Sequence, residues 1–203
     1  MNSPTLNKKD WRVRLLDNRR AAGIDAVKAQ RLTMRLIELL DALLPASVGL
    51  YWPIRGEPDV RTAVREWAKK QGGVTLSLPE TRENGMVYRV WGSDVSMERD
   101  IAGIPFPEGD TCVPAVILLP VLGFGESCRR LGYGGGYFDR YLAVAKEPVP
   151  ITVGVAYEVL AVPESLFEPH DIPLSYIVTE SALRINNAAA DEAACGIEMK
   201  DDY

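Results

Sequence analysis

The chain has 203 residues, 47% of them apolar and 25% charged, with a net charge of −5. That is enough for one α/β domain with a sizeable core; it excludes a broad polyanion binder, and the lack of a long basic patch speaks against a nucleic-acid partner. Three scattered cysteines without a CxxC pair exclude a zinc ribbon or a disulfide framework, and neither a signal-peptide core nor a membrane-length apolar run is present, so a cytoplasmic protein away from membranes is expected.

The first element is a basic helix over residues 8–22, carrying Lys8, Lys9, Arg12, Arg14, Arg19 and Arg20, with Trp11, Leu15 and Leu16 as its apolar stripe. On pattern alone such a helix is a solvated face; the functional alternative is that its first turn reaches nucleotide phosphates. Gly23 breaks it. Asp25 caps a second helix that runs to about Leu44, with Val27, Met34, Ile37 and Leu40 facing inward and Pro45 after its end. Residues 47–53 read as a short strand. The loop that follows, Pro53 to Asp59, leaves the carboxyl end of that strand, which is where open α/β sheets bind ligands. Glu57 and Asp59 there are either ligand contacts or simply the acids that open the helix over residues 60–71.

Residues 74–81 and 86–91 read as two strands joined by a tight turn at Asn84-Gly85. Tyr88 and Trp91 on the second are core aromatics or, alternatively, the walls of a pocket for a flat ring. Residues 98–110 lack periodicity and read as a semi-rigid loop. An apolar run from Ala115 to Phe124, ending on Pro120 and Gly123, is a buried strand. Further on, residues 150–156 form a strand, Pro163-Glu164 starts a helical turn, and residues 175–179 form the last strand. From Asn186 the text is Ala-rich and acidic, so residues 1–185 form the domain and 186–203 a flexible tail. Alternating strands and helices predict a three-layer α/β/α sandwich with a mostly parallel sheet and a small antiparallel strand pair.

Chemistry concentrates in Arg129-Arg130-Leu131-Gly132-Tyr133-Gly134-Gly135-Gly136-Tyr137-Phe138-Asp139-Arg140, between the buried strand and a short helix over residues 137–145. Four glycines in five positions let backbone N–H groups converge on one ligand, and a glycine-rich turn opening a helix favours an anion. Asp139 would repel a phosphate unless a divalent cation lies between them, and magnesium binds through one or two carboxylates plus phosphate oxygens. The pattern is neither a Walker A loop nor a dinucleotide fingerprint. The bland alternative is a tight turn with an acid at a helix start.

The stretch RLGYGGGYFDRYL resembles the signature of the 5-formyltetrahydrofolate cyclo-ligase family. The resemblance implies ATP- and Mg2+-dependent conversion of 5-formyltetrahydrofolate to 5,10-methenyltetrahydrofolate, with release of ADP and phosphate, on an α/β/α sandwich. It implies that Lys8, Lys9 and Arg12 meet ATP, together with Arg130, Leu131, Gly132, Tyr133, Gly134, Gly135, Gly136 and Tyr137. Asp139 and Asp171 would hold the metal, and Arg130 and Asp139 would act in catalysis. Trp52, Glu57 and Tyr137 would hold the folate, Glu57 accepting adjacent pterin N–H donors, and the Gly103 to Pro107 segment would lie close by. Several family members carry lysine at the position of Gly135, so another cation, Lys9 or Arg12, is expected on the γ-phosphate. The only histidine, His170, has no partner nucleophile in the pattern and is not expected to be a general base. Reduced folate and ATP are the expected partners, in a monomer or weak homo-oligomer. The rival expectation is a folate- or nucleotide-binding relative without cyclo-ligase activity, suggested by the unusual Trp52 to Glu57 loop.

Overall fold

The computed structural model describes residues 7–22, 25–145 and 147–186, so Gly23 and the tail beyond Asn186 lie outside the described residues. In chain order the elements are α1 (Lys8–Ala21), α2 (Ala26–Leu43), β1 (Ser47–Gly49), α3 (Arg61–Gln71), β2 (Thr75–Arg82), β3 (Gly85–Val90), β4 (Met97–Arg99), β5 (Pro105–Pro107), β6 (Thr111–Cys112), β7 (Val116–Pro120), β8 (Gly123–Phe124), β9 (Arg130–Leu131), α4 (Tyr137–Ala143), β10 (Ile151–Val155), β11 (Tyr176–Val178) and β12 (Leu183–Ile185). Short 3-10 turns at Glu158–Leu160 and Glu164–Leu166 lie between β10 and β11.

The main sheet has the order β12-β11-β10-β7-β1-β2-β3-β6. The run from β11 to β2 is parallel, and β12, β3 and β6 add antiparallel edges. Along β7 the side chains alternate between two cores. Val116 and Leu118 join the cluster built with Leu36 and Leu40 of α2 and Val64 and Trp67 of α3. Ile117 and Leu119 join the cluster built with Leu15 of α1, against which Tyr141 and Leu142 of α4 pack. A strand covered on both faces has no polar face to show, which is why residues 115–124 read as a continuous apolar run. The result is the expected α/β/α arrangement.

Strand order places the ligand region. From β1 the chain moves one way to β2, then returns so that β7, β10 and β11 extend the sheet on the other side. Neighbouring parallel strands β1 and β7 therefore send their following loops apart, opening a crevice at their carboxyl ends. The two loops that border it are residues 50–60 and 121–136.

Several expectations need correction. Asp25 does cap α2, accepting from Lys28 N–H at 2.8 Å. Its buried positions, however, are Leu32, Leu36, Leu39 and Leu40, whereas Val27 and Met34 are exposed. Four leucines at spacings of four, three and one set the inward face, and Val27 and Met34, seven apart, share another. Tyr88 is fully buried and meets the edge of Tyr141 at 5.4 Å between ring centroids, so it is core and not a pocket wall. Residues 98–110 are not simply a loop: β4 and β5 pair, and Asp100 accepts from Ala102 and Ile104 N–H at 2.9 Å each. Arg19 on the supposedly solvated face of α1 is only 2% exposed.

Candidate active site

The loop after β1 folds on itself. Ile54 C=O accepts from Glu57 N–H at 3.0 Å, with Arg55 at φ 50° and Gly56 at φ 78° between them. Two left-handed residues make a turn of the I′ kind, which suits Gly56 and costs Arg55 something, since a non-glycine side chain crowds its own backbone there. The Glu57 carboxylate closes the turn by accepting from Ile54 N–H at 2.8 Å. Behind it, Tyr51 O–H donates to Pro58 C=O at 2.6 Å. Glu57 is thereby fixed and 7% exposed, a buried carboxylate at the crevice between β1 and β7.

Its second oxygen reaches across the crevice. Tyr133 O–H donates to Glu57 Oε1 at 2.7 Å, and Arg19 Nη1 donates to the Tyr133 oxygen at 2.5 Å. Arg19 Nη2 also donates to Val121 C=O, just past β7, at 2.8 Å. Burial raises the Glu57 carboxyl above its usual range; the Ile54 N–H, the Tyr133 hydroxyl, Arg19 and Arg55 offset only part of that. Burial and the Glu57 charge push the Tyr133 phenol up as well, so its proton stays on oxygen.

The glycine loop presents the opposite character. It follows β9, which pairs with β8, and it ends at Gly136, the N-cap of α4. Gly134 at φ 96° and Gly136 at φ 63° occupy left-handed backbone that a side chain would strain. Arg12 Nε donates to Gly132 C=O at 2.9 Å, and its guanidinium carbon lies 3.5 Å from where a Cβ on Gly134 would be. Arg140 Nη1 donates to Gly135 C=O at 3.0 Å and lies over the Tyr137 ring at 4.8 Å. Arg130 is ion-paired with Asp139; the arginine side chain is 8% exposed and the carboxylate 70%. Arg12 and Arg140 thus hold carbonyls of residues 132–136, and the Arg130–Asp139 pair, with its exposed carboxylate, stands beside them.

Residues 4–180 match the profile of the 5-formyltetrahydrofolate cyclo-ligase family. The chain belongs to the 5-formyltetrahydrofolate cyclo-ligase family. The relative from Haemophilus influenzae, a 5-formyltetrahydrofolate cyclo-ligase, is 24% identical over 152 residues, 71% of this chain and 81% of that one. The Escherichia coli K12 cyclo-ligase is 38% identical over 66 residues, 32% of this chain and 36% of its own. The Aquifex aeolicus 5,10-methenyltetrahydrofolate synthetase superposes with a TM-score of 0.72 at 29% identity, covering 88% of this chain and 92% of that one. The Mycoplasma pneumoniae 5,10-methenyltetrahydrofolate synthetase shares the fold, with a TM-score of 0.69 at 22% identity over 86% of this chain and 99% of the other.

Set in this cyclo-ligase frame, the expected site residues fall into groups. Arg12 lies on the glycine loop, and Lys9 is exposed with its backbone N–H bonded to Asn7. Lys8 Nζ instead pairs with Asp171 at 2.6 Å and Glu168 at 3.1 Å. Asp171 Oδ2 also accepts from Glu168 N–H at 2.8 Å. Burial pushes the Asp171 carboxyl up, but the Glu168 N–H and the Lys8 ammonium outweigh it, and the carboxyl sits below its usual range. Asp139 and Asp171 are therefore held by different cations, Arg130 and Lys8. Trp52 is half-buried, and Arg61, gripped by Asp59 at 2.9 and 2.8 Å, covers its ring at 3.8 Å. Tyr133, expected on the nucleotide, reaches Glu57, expected on the folate.

The donor set suits magnesium: both aspartates are hard oxygen ligands, Asp139 faces solvent, and only Oδ2 of Asp171 is engaged. Glu168, His170 and Asp171 also offer ligand atoms within 4.8 Å of one another, and Lys8 pairs with both carboxylates of that group. Sequence reasoning passed over Arg19, Arg55 and Arg140. Arg19 carried a signal: it stands four residues after buried Leu15, on the inward face of α1. Arg129 turned out to be a brace, donating to Asp171 C=O at 3.1 Å and pairing with Glu164 at 3.1 Å. Among the described residues, no helix is long and apolar enough to cross a membrane.

Proposed function

We propose that this cyclo-ligase family member converts 5-formyltetrahydrofolate to 5,10-methenyltetrahydrofolate, consuming ATP and releasing ADP and phosphate. The observation that carries the reading is the Tyr133–Glu57 hydrogen bond at 2.7 Å, which joins the glycine loop to the buried carboxylate at the crevice between β1 and β7. A phosphate cradle and a recognition carboxylate in contact suit a reaction that phosphorylates a formyl oxygen carried by a bound heterocycle.

In this reading the N–H groups of residues 132–136 and the guanidinium groups of Arg12, Arg130 and Arg140 receive the triphosphate. Arg12 supplies the cation that other members take from a lysine at the position of Gly135. Glu57 has one lone pair left on each oxygen and accepts the adjacent N–H donors of the pterin. Trp52 and Tyr137 flank the ring system. Asp139 and Asp171 would hold magnesium, which when bound would supply positive charge to offset that of the phosphates. Those two carboxylates are paired with Arg130 and Lys8, two cations that could serve the phosphates. The formyl oxygen attacks the γ-phosphorus as ADP leaves; the secondary amine then closes on the formyl carbon, phosphate leaves with the former formyl oxygen, and the amine proton passes to solvent. No side chain needs to act as a nucleophile; alignment and charge do the work. Reduced folate and ATP are the partners, in the cytoplasm, with the protein a monomer or weak homo-oligomer.

The test is direct. Protein mixed with 5-formyltetrahydrofolate, ATP and magnesium is followed by the near-ultraviolet absorbance of the methenyl product. A rise that requires all three additions is expected. A folded protein that binds the ligands without producing the signal would instead be a binding relative, the reading that the Arg61-covered Trp52 favours.

A further inference from the structure

A single hydrogen-bonded chain runs from α1 through the glycine loop to the loop after β1: Val121 C=O, Arg19, Tyr133, Glu57, Ile54 N–H. We propose that Tyr133 is a positioning residue that couples the seating of the glycine loop to the orientation and charge of Glu57, with Arg19 as the fixed end of the coupling. The inference rests on the function proposed above and deepens it: occupancy of the nucleotide loop sets the affinity for the folate ring.

The geometry supplies the parts. Tyr133 lies between Gly132 and Gly134, so its backbone belongs to the phosphate loop while its hydroxyl belongs to the folate carboxylate. The residue pair that fixes it stands on one helix face: Arg12 and Arg19 are seven apart on α1, one bonded to Gly132 C=O and the other to the Tyr133 oxygen. Arg19 cannot follow a moving loop freely, because its second Nη is bonded to Val121 C=O. Glu57 cannot rotate freely either, because Oε2 closes the Ile54 turn. The one adjustable contact is the Tyr133 hydroxyl on Oε1. A phosphate that reseats residues 132–136 therefore changes what Oε1 meets, which is the differential contact that coupling requires.

The charged and titratable groups facing Glu57 are Arg19 from α1, Arg55 from its own turn, Tyr51 from the end of β1, and Tyr133. Tyr133 supports the ionised form by donating to it. Replacing the hydroxyl with hydrogen keeps the ring beneath Arg55, 5.5 Å from the centroid, and removes both bonds. The carboxyl of Glu57 should then hold its proton to higher pH.

The experiment uses the full chain. Binding of 5-formyltetrahydrofolate is followed by tryptophan fluorescence, with and without a non-hydrolysable ATP analogue plus magnesium. In the wild type the analogue should change folate affinity by about fivefold or more, and folate should change analogue affinity by the same factor. In Tyr133→Phe the factor should fall close to one. The acid limb of the pH profile for folate KM should move up by about one unit, the size expected from losing a hydrogen bond to a charge, with KM affected more than kcat. Glu57→Gln should erase that limb. Arg19→Lys, which retains charge but not the two-pronged grip, should lower the coupling factor in the same direction. A wild-type factor of one would overturn the assignment. So would a Tyr133→Phe protein with a lowered unfolding temperature but an unchanged factor and limb, since that is what a purely structural tyrosine would give. Failure of the wild type to make product would instead remove the proposed function, so the two failures are distinct.

Discussion

The two loops that meet between β1 and β7 are built on opposite principles. The loop after β1 closes on its acid: Glu57 is held by a backbone N–H and a phenol, at 2.8 and 2.7 Å, with 7% of it exposed. The glycine loop is open and cationic, held by Arg12 and Arg140 and flanked by the ion pair of Arg130 with an Asp139 that is 70% exposed. The first trades stability for orientation, since burying a carboxylate raises its proton affinity and weakens the folded state at neutral pH. The second keeps its acid in water, where exchanging the ion pair for a ligand costs the carboxylate little. A ring with fixed donors needs the first kind of site. A triphosphate needs the second.

Breaking the open side at its acid should give the largest effect. Asp139→Asn should lower magnesium-dependent turnover by about a hundredfold or more, in line with losing one preorganised charge at phosphoryl transfer. Its unfolding temperature should fall only modestly: the aspartate is 70% exposed, although the 8%-exposed Arg130 loses its counter-charge. Turnover at the wild-type level would reduce Asp139 to a helix-start acid.

The closed side should respond in the reverse sense. Glu57→Gln should weaken folate binding about tenfold or more, yet raise the unfolding temperature at pH 7. The folded-state value of Glu57 lies above its usual one, so its contribution to stability is full below the ordinary carboxylate range and is lost as pH rises through the raised value. The stabilisation by Gln should therefore shrink on acidification, and calorimetry at two pH values checks it. A variant less stable at both would show that the buried charge is well compensated.

A smaller effect separates the loops by ligand. Arg12→Ala should raise KM for ATP by about tenfold, the cost of losing a charge-assisted contact, and leave folate affinity without nucleotide within about twofold. Steady-state kinetics with each substrate varied will show whether the two sides divide this way. The smallest effect belongs to the Lys8–Asp171 pair. Asp171 is depressed in the folded state, so the stability it adds is present above the ordinary carboxylate range and is lost as pH falls through the folded value. Lys8→Met should flatten the acid limb of a stability–pH curve by no more than about 1 kcal/mol, the pair being partly solvated.

What the sequence disclosed follows physical lines. The parallel core was legible because a strand buried on both faces shows as an unbroken apolar run, as at residues 116–119. The glycine loop was legible because backbone freedom at Gly134 and Gly136 has few substitutes. The β4–β5 ribbon was not, since Pro105 and Pro107 resemble a loop, although proline is tolerated on an edge. The inward phase of α2 was misjudged because exposed Val27 and Met34 look as apolar as the leucines that outnumber them. Arg19 was missed for a deeper reason. Its burial makes sense only with Tyr133 and Val121, 114 and 102 residues away, and no local pattern carries such a partner.

The most direct measurement is a crystal structure of the protein with an ATP analogue, magnesium and 5-formyltetrahydrofolate. The phosphates should lie against the N–H groups of residues 132–136 with Arg12 beside them, the metal on Asp139 and Asp171, and the pterin on Glu57. Nucleotide bound elsewhere, with residues 132–139 and Glu57 still in their ligand-free contacts, would contradict the assignment of the two loops to one active site.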